Sequence, residues 1–316
     1  MPHSSALRIG TRGSPLARWQ AEWVAGKLQQ RGIEVALVPI TTAGDQNQQG
    51  PIGAIGTQGV FTKEIQRALL DDRVDLAVHS LKDLPTDEVP GLVLAAVPPR
   101  APVNDAFVSR RFPSFESLPH GAVLGTGSLR RRAQLLHWRP DLVMKDVRGN
   151  VDTRLRKLNQ QQYDALVLAE AGLQRLGLAE QITQVLPMPA FLPAVGQGAL
   201  GLETRADDHR TREAVAQLDH PATHAAVLAE RAMLATLQGG CLAPIAAWGR
   251  IDGGRLVLTG RALARDGSQK LEATDDAEPA DAVQLGIRLA QSLIAAGATE
   301  LIHAAREAGE GSPPPM

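Results

Sequence analysis

The chain has 316 residues, more than one hydrophobic core usually serves, so we expect two or three domains. Hydrophobic residues make up 44% of it and charged residues 21%, which excludes wholesale disorder and fibrous repeats. The net charge of −1 gives no overall attraction to nucleic acid or anionic membranes, and five Phe, four Trp and one Tyr are poor material for stacking bases.

The first hundred residues are predicted to alternate strands with helices. After a strand at 7–11, Ser14 and Pro15 predict a helix start, because serine caps helices and proline fits their first turn; Gly32 predicts its end. The next predicted elements are a strand at 34–40, a Gly/Gln-rich loop at about 41–59, a helix around 61–69 and a strand at 74–79. This order favours an α/β fold with a mainly parallel sheet.

A second α/β series is predicted between two proline-rich passages, VPPRAPV at 97–103 and LPMPAFLPAVGQG at 186–198. Its elements are a strand around 123, a helix from 129, a strand at 143–147, a helix from 151 and a strand at 165–169. Two lobes joined by two crossings predict a hinged cleft, which usually binds a small molecule.

From about residue 221 the pattern changes to a small α+β domain. A helix at 222–237 precedes strands joined at Asp252-Gly253 and Asp266-Gly267, both hairpin signals, and a last helix is predicted at about 280–305. The predicted domains are lobe 1 (1–99 with 197–219), lobe 2 (103–194) and a third domain (221–316) with a disordered tail from about 308.

The sequence also indicates where the protein resides. Its start, MPHSSALRIG, lacks the apolar region of a secretory signal, and the longest apolar stretch, LVLAAV after Gly91, is far shorter than the roughly 20 residues of a spanning helix. We therefore expect a cytoplasmic protein without a membrane partner. The single cysteine excludes an intrachain disulfide.

Three predicted strand-to-helix junctions share small or hydroxyl residues followed by arginine: TRGSP at 11–15, GTGSLRRR at 125–132 and RGNVDTR at 148–154. Free N–H groups and the dipole favour an anion at such helix starts. Residues 128–157 carry nine basic against three acidic side chains. Plain caps and solvated arginines explain any one junction better, but three together favour a ligand with several carboxylates or phosphates. No P-loop motif is present.

The segment AVHSLKDLP at 77–85 leaves a predicted buried strand at its carboxyl end, where α/β sheets bind ligands. Asp83 is a candidate general acid/base or stabiliser of a cation, and Lys82 a candidate partner for a substrate carboxylate. The alternative is a turn-closing aspartate before proline and a surface lysine. We expect His79 to be a core histidine. The eight histidines show no metal-ligand spacing, so no metal site is expected.

Cys241 follows two glycines just beyond a predicted helix. A lone cysteine is usually a small buried hydrophobe. In this setting a covalent attachment point and a catalytic nucleophile are also consistent with the sequence.

Six motifs, in order from Ile9 to Cys241, resemble those of hydroxymethylbilane synthases (porphobilinogen deaminases): IGTRGSPLARWQ, AVHSLKDLP, GTGSLRR, RGNVDTRL, LPAVGQGA and GGC. The resemblance implies two lobes of periplasmic-binding-protein type joined by a double hinge, and a small C-terminal α+β domain that bears the cofactor. It also implies a monomeric cytoplasmic transferase of tetrapyrrole (haem, chlorophyll, sirohaem) biosynthesis. Such an enzyme joins four porphobilinogens head to tail with loss of ammonia and releases hydroxymethylbilane by hydrolysis.

The resemblance also implies roles for individual residues. A dipyrromethane cofactor is expected on Cys241 through a thioether, and Asp83 is expected to be catalytic. The residues implied to hold cofactor or substrate carboxylates are Arg12, Ser14, Ser80, Lys82, Thr126, Ser128, Arg130, Arg131, Arg148, Arg154 and Arg175. The chain departs from common family residues at Gln58, Gly127, Asp152, Leu242 and Ala243, which we interpret as tuning of affinity.

Two competing functions remain at this point. One is a non-enzymatic cytoplasmic two-lobe binder that closes on a small polyanion, which predicts closure without turnover and an unmodified Cys241. The other is nucleic-acid binding through the arginine-rich stretch, which the net charge of −1 and the few aromatic residues disfavour.

Overall fold

The structure is a computed structural model that describes residues 6–41, 62–240 and 243–310. The predicted loop at 41–59 therefore lies, apart from Thr41, outside the described residues, as do Cys241 and Leu242. The strands are β1 (Leu7–Thr11), β2 (Val35–Pro39), β3 (Leu76–Ser80), β4 (Leu92–Ala96), β5 (Asp105–Ser109), β6 (Val123–Gly125), β7 (Val143–Lys145), β8 (Ala165–Ala169), β9 (Gln184–Val185), β10 (Leu200–Arg205), β11 (Ile245–Asp252), β12 (Arg255–Leu263) and β13 (Lys270–Ala277). The helices are α1 (Pro15–Gln29), α2 (Lys63–Leu70), α3 (Leu129–Trp138), α4 (Val151–Asn159), α5 (Glu170–Arg175), α6 (His209–Ala216), α7 (Pro221–Thr236), α8 (Ala282–Ala295) and α9 (Ala298–Glu310), with 3₁₀ turns at Leu81–Asp83, Ala179–Gln181 and Pro279–Asp281.

The chain divides into two compact units. Among the described residues, the first unit holds 6–41, 62–101 and 198–224, and the second holds 102–197, 225–240 and 243–310. The changes of unit at 101/102 and 197/198 lie within the two predicted proline-rich passages.

The first unit is built on a five-stranded sheet of order β2-β1-β3-β10-β4. Strands β1, β2 and β3 are parallel, and β10 is antiparallel to both of its neighbours. Helix α1 packs on this sheet because its apolar side chains recur at helical spacing, and Val24 and Leu28 are fully buried. The predicted start of α1 is confirmed, since Ser14 is its N-cap and Pro15 its first residue.

The second unit contains a sheet with the same plan, in the order β7-β6-β8-β5-β9. Here β6, β7 and β8 are parallel, and β5 is antiparallel to its neighbours β8 and β9. In each sheet the single antiparallel strand is the one that follows a crossing: β5 the first crossing and β10 the second. The predicted α/β class with mainly parallel sheets is thus confirmed.

The C-terminal part of the second unit has the predicted α+β character. Strands β11, β12 and β13 form an antiparallel sheet, and α7, α8 and α9 bury apolar side chains against it, Met233, Leu289 and Ile302 among them. The prediction of one last helix at about 280–305 is wrong. Gly297, at φ +101°, separates α8 from α9, because glycine reaches this left-handed region without strain.

Helix α9 also continues through Glu310, so residues 308–310 do not belong to the predicted disordered tail. The rest of that tail, 311–316, lies outside the described residues. Within the ranges that the structure describes, no single helix is long and apolar enough to cross a membrane. One bent pair, Pro279–Ala295 with Ala298–Glu307, meets the criteria of length and composition when its two helices are counted together.

We expect Gly286→Ala to destabilise the C-terminal α+β part. A Cβ at this position of α8 would lie 2.3 Å from the Ala229 carbonyl oxygen and 2.8 Å from the Met233 nitrogen, and backbone atoms cannot rotate away. The expected loss of unfolding free energy is about 1–3 kcal/mol, measured by urea denaturation. Gly26→Ala in α1 is the control, because nothing lies within 4 Å of its added Cβ. If Gly286→Ala lost no more unfolding free energy than Gly26→Ala, the prediction would be contradicted.

Candidate functional site

In the first unit, the predicted site residues lie at one edge of the sheet. Strands β1 and β3 are parallel neighbours, so their carboxyl ends share an edge. Arg12 and Ser14 follow β1 directly, while Ser80 ends β3 and is followed by Lys82 and Asp83. The structure therefore brings these five residues to the carboxyl edge, where open α/β sheets bind ligands.

A 3₁₀ turn presents Asp83 to solvent. The turn is held by Leu81 and Leu84, which are 1% and 7% exposed, and by the Leu81 N–H, which donates to the Ala199 carbonyl at 3.1 Å. Between these anchors Lys82 is half-buried and Asp83 is exposed. The local pattern of buried and exposed residues thus fixes the backbone under Asp83 and leaves its carboxylate open to a ligand.

Buried polar groups lie next to this turn. The Gln20 amide donates to Ser80 Oγ at 2.8 Å, so α1 holds the last residue of β3. His79 Nε2 lies 2.9 Å from Glu203 Oε2, and Glu203 also accepts from Gln66 at 2.9 Å. The prediction of a core histidine at His79 is confirmed. Sequence reasoning missed both partners: Gln20 ends the motif IGTRGSPLARWQ but was given no role, and Glu203 lies in none of the motifs.

The second unit gathers its predicted residues in the same way. Strands β7, β6 and β8 are parallel neighbours, so their carboxyl ends also share an edge. Thr126 and Ser128 follow β6, Arg148 follows β7, and Arg175 ends the helix that follows β8. Thr126, Ser128 and Arg148 therefore lie at the carboxyl edge of this sheet, as the five residues of the first unit do at theirs, while Arg175 lies at the far end of a short helix that leaves the edge.

Two of the three predicted anion junctions have serine-capped helices. Ser14 Oγ accepts from the Ala17 N–H at 3.3 Å, and Ser128 Oγ accepts from the Arg131 N–H at 3.4 Å. Asn150, at the start of α4, makes no side-chain cap bond. A serine that caps through its oxygen keeps its hydroxyl hydrogen as a donor, so a cap and an anion contact are compatible at Ser14 and Ser128.

Arg130 and Arg131 are not part of a solvated face. They are 4% and 6% exposed. Both guanidinium groups form ion pairs with the carboxylate of Asp105, which is 1% exposed. Arg130 Nη2 is 2.7 Å from Asp105 Oδ2, and Arg131 Nη2 is 2.7 Å from Oδ1. Burial works against the ionisation of Asp105, but the two guanidinium groups outweigh it and hold the pKa of the carboxyl below its usual value.

The remaining predicted arginines surround the start of α4 and the end of α5. Arg154 Nε donates to the Gly149 carbonyl at 2.8 Å, and Lys157 Nζ donates to the Arg148 carbonyl at 3.3 Å, so side chains of α4 hold the turn that precedes it. Burial lowers the pKa of Arg175 to about 10, since removal from water disfavours the charged form.

The departures from common family residues fall in different settings. Gln58 and Leu242 lie outside the described residues, and Ala243 is buried. A Cβ on Gly127 would lie 3.2 Å from the Val147 carbonyl oxygen, so a larger residue there needs a small shift. Asp152 is exposed in the first turn of α4, where the helix dipole favours a negative charge.

Cys241 lies outside the described residues, but the chain on both sides of it is closely packed. A Cβ on Gly239 would lie 2.1 Å from Ile245 Cδ1, and Gly240 has φ +57°. Pro244 is buried. Arg306 of α9 donates to the Gln238 carbonyl oxygen. Among the described residues, no group of three or more His, Cys, Asp or Glu side chains is arranged to hold a metal ion.

Two family models match this chain. "Porphobilinogen deaminase, dipyromethane cofactor binding domain" matches residues 7–213, and "Porphobilinogen deaminase, C-terminal domain" matches residues 224–295. Among similar relatives, the porphobilinogen deaminase of Syntrophotalea carbinolica is 50% identical over 95% of this chain and 96% of its own length. The porphobilinogen deaminase of Geobacter sulfurreducens is 48% identical over 94% of this chain and 93% of its own length. That of Acidithiobacillus ferrooxidans is 49% identical over 98% of this chain and 100% of its own length.

Solved structures of small-molecule binding proteins also match. The methionine-binding protein MetQ is 16% identical, with a TM-score of 0.45 over 68% of this chain and 89% of its own. A periplasmic substrate-binding protein of an ABC transporter from Coxiella burnetii is 17% identical, with a TM-score of 0.43 over 71% of this chain and 94% of its own.

Proposed function

Because this chain belongs to the porphobilinogen deaminase family, a transferase family of tetrapyrrole synthesis that uses a dipyrromethane cofactor, we propose that the residues gathered at its two sheet edges carry out the family reaction. The substrate is porphobilinogen and the product is hydroxymethylbilane. The observation that carries the proposal is that the residues directly following the strands, Arg12 and Ser14, Ser80 to Asp83, and Thr126, Ser128 and Arg148, lie at the carboxyl edges of the two sheets, with Asp83 exposed on a turn held by buried neighbours.

Asp83 is the proposed catalytic residue. When porphobilinogen loses ammonia, positive charge develops on its pyrrole ring, and a fixed carboxylate stabilises that charge in the transition state. The same carboxylate can accept the proton that leaves when a new carbon–carbon bond forms. The anchoring of the turn by Leu81 and Leu84 supports this role, because it fixes the backbone that carries the carboxylate before the substrate binds.

The basic groups and helix starts are the proposed carboxylate sites. Each porphobilinogen brings an acetate and a propionate, so the growing product becomes a polyanion. In the first lobe the proposed donors are Arg12, Ser14, Ser80 and Lys82; in the second they are Thr126, Ser128, Arg130, Arg131, Arg148, Arg154 and Arg175. Guanidinium forks and helix N-termini suit this task, because both offer several N–H donors to a carboxylate.

The donor set of the second lobe fits a dipyrromethane, whose side chains are carboxylates. Arg130 Nε is buried and has no hydrogen-bond partner among the described residues, which leaves one charge-assisted donor for a ligand. We propose Cys241 as the thioether attachment point, since it is the only cysteine. When bound, this group supplies the pyrrole end to which substrate is joined, and tethering makes each coupling effectively intramolecular.

Turnover separates this proposal from the non-enzymatic binder. Incubation with porphobilinogen is expected to release four ammonia molecules for each hydroxymethylbilane formed, measured by an ammonia assay and by the Soret absorption of the porphyrin after cyclisation and oxidation. Binding of porphobilinogen without ammonia release would contradict the proposal and favour the binder.

We also propose that the protein is a cytoplasmic monomer without nucleic-acid or membrane partners, and that the second unit divides further into lobe 2 and a cofactor-bearing domain. The net charge of −1 and the family resemblance support the first statement. The match of the cofactor-binding-domain model ends at residue 213, and the match of the C-terminal-domain model begins at residue 224. These separate matches support a boundary near residue 221.

A further inference from the structure

The antiparallel strand β5 brings an aspartate to the ligand edge of the second unit. Because β5 runs against β8, its first residue, Asp105, pairs with Ala169, the last residue of β8. Asp105 therefore lies where the parallel strands end, beside the first turn of α3 that carries Arg130 and Arg131. None of the six motifs contains it.

The Asp105 carboxylate holds Arg131 through hydrogen bonds to Oδ1 and Arg130 through an ion pair with Oδ2, which has no hydrogen-bond partner among the described residues. Oδ1 accepts from Arg131 Nε at 2.9 Å and Nη2 at 2.7 Å, while Oδ2 is 2.7 Å from Arg130 Nη2. Gln197 donates to Oδ1 at 3.0 Å, so a third side chain holds the carboxylate. The outer nitrogens are also occupied: Arg130 Nη1 donates to the Leu192 carbonyl, and Arg131 Nη1 to the Val167 carbonyl at 3.1 Å.

This cluster carries an excess of positive charge. Two buried guanidinium groups share one buried carboxylate, and burial is the main influence that lowers the pKa of Arg130. Arg130 Nε has no hydrogen-bond partner among the described residues. A buried charge is costly unless it is paired and hydrogen-bonded, so an anion next to this nitrogen would be stabilised.

We propose that Asp105 is a positioning residue: it aligns the guanidinium groups of Arg130 and Arg131 so that one unsatisfied donor and one excess positive charge remain for a carboxylate of the ligand. This inference rests on the proposed function, which assigns both arginines to the ligand. Asp105 itself does not contact substrate or cofactor; it acts through the arginines.

The decisive variant is Asp105→Glu, because it keeps the charge and moves the carboxylate by one methylene. We expect KM for porphobilinogen to rise about tenfold or more, as for a misaligned charge-assisted hydrogen bond, with kcat changed much less. Asp105→Asn, which removes the charge, is expected to raise KM further. It should also lower the fraction of protein molecules that carry the covalent dipyrromethane (the primer for chain growth), measured by intact mass. If Asp105→Asn fails to fold, Asp105→Glu alone decides, and a wild-type KM in a folded Asp105→Glu protein overturns the proposal.

Asp164→Glu and Asp164→Asn are the matched controls in the same unit. Asp164 accepts from the Val123 N–H at 2.8 Å and pairs with Arg111 at 3.0 Å, at the amino end of β6 and outside the proposed site. We expect these variants to lower the melting temperature without changing KM. A rise in KM equal to that of Asp105→Glu would show a general effect of destabilisation and overturn the positioning role.

Arg130→Lys and Arg131→Lys distinguish failure of this inference from failure of the proposed function. A raised KM in these variants together with a normal KM in Asp105→Glu overturns the role of Asp105 and leaves the arginine assignment intact. A normal KM in both lysine variants removes the arginines from ligand binding and overturns the inference with them.

Discussion

Asp83→Asn is expected to reduce the turnover of porphobilinogen by about a thousandfold or more, because asparagine neither stabilises a developing cation nor accepts a proton. The fold should be unchanged, since Asp83 is exposed and the buried neighbours Leu81 and Leu84 hold the turn. Stability effects of such surface substitutions are usually within about 0.5 kcal/mol. The measurements are kcat for ammonia release and the thermal unfolding midpoint.

Asp87→Asn is the control for this experiment. Asp87 is also an exposed aspartate in the loop after β3, four residues further along, and is not assigned to the site. It should retain the turnover of the unmodified protein. Near-normal turnover in Asp83→Asn would remove Asp83 from the mechanism. An equal loss of turnover in Asp83→Asn and Asp87→Asn would point to a general effect of removing one negative charge from this loop.

Cys241→Ser is expected to abolish the covalent primer and, with it, turnover. A serine hydroxyl is far less nucleophilic than a thiolate, so the thioether cannot form. Intact mass of the protein from a host that makes porphobilinogen should exceed the polypeptide mass by one dipyrrole unit. In the variant this increment and the colour with Ehrlich's reagent should both be missing.

The double variant Cys241→Ser with Ser268→Cys tests whether position matters. It restores one thiol, now at an exposed position in the turn between β12 and β13. We expect it to lack the primer and remain inactive. A dipyrrole increment that persists in Cys241→Ser would locate the attachment elsewhere and refute the assignment.

Elements with local sequence signals were predictable. Ser14-Pro15 marked the start of α1, and Asp252-Gly253 marked the turn between β11 and β12, because caps and hairpin turns depend on a few adjacent residues. The antiparallel strands β5 and β10 were missed. Each is a short run beside a proline-rich passage, and its place in a sheet depends on partners far along the chain.

The same limit applies to the site. The motifs named Asp83 and the arginines, but not Asp105, because an aspartate after an asparagine resembles a turn residue when its strand is not recognised. Burial of Arg130 and Arg131 was equally hidden, since arginine is mostly exposed in proteins unless a partner is present. Their partner lies 25 and 26 residues earlier and meets them only through the pairing of β5 with β8.

The position of β10 has a consequence for synthesis on the ribosome. Strands β1, β3 and β4 emerge early, but β10, which lies between β3 and β4, emerges only after the whole 102–197 segment. All five strands of the other mixed sheet lie between residues 105 and 185. Since nascent domains complete their folding as their residues become available, the lobe that begins first along the chain is the second to be finished, and its early strands need protection from aggregation in the meantime.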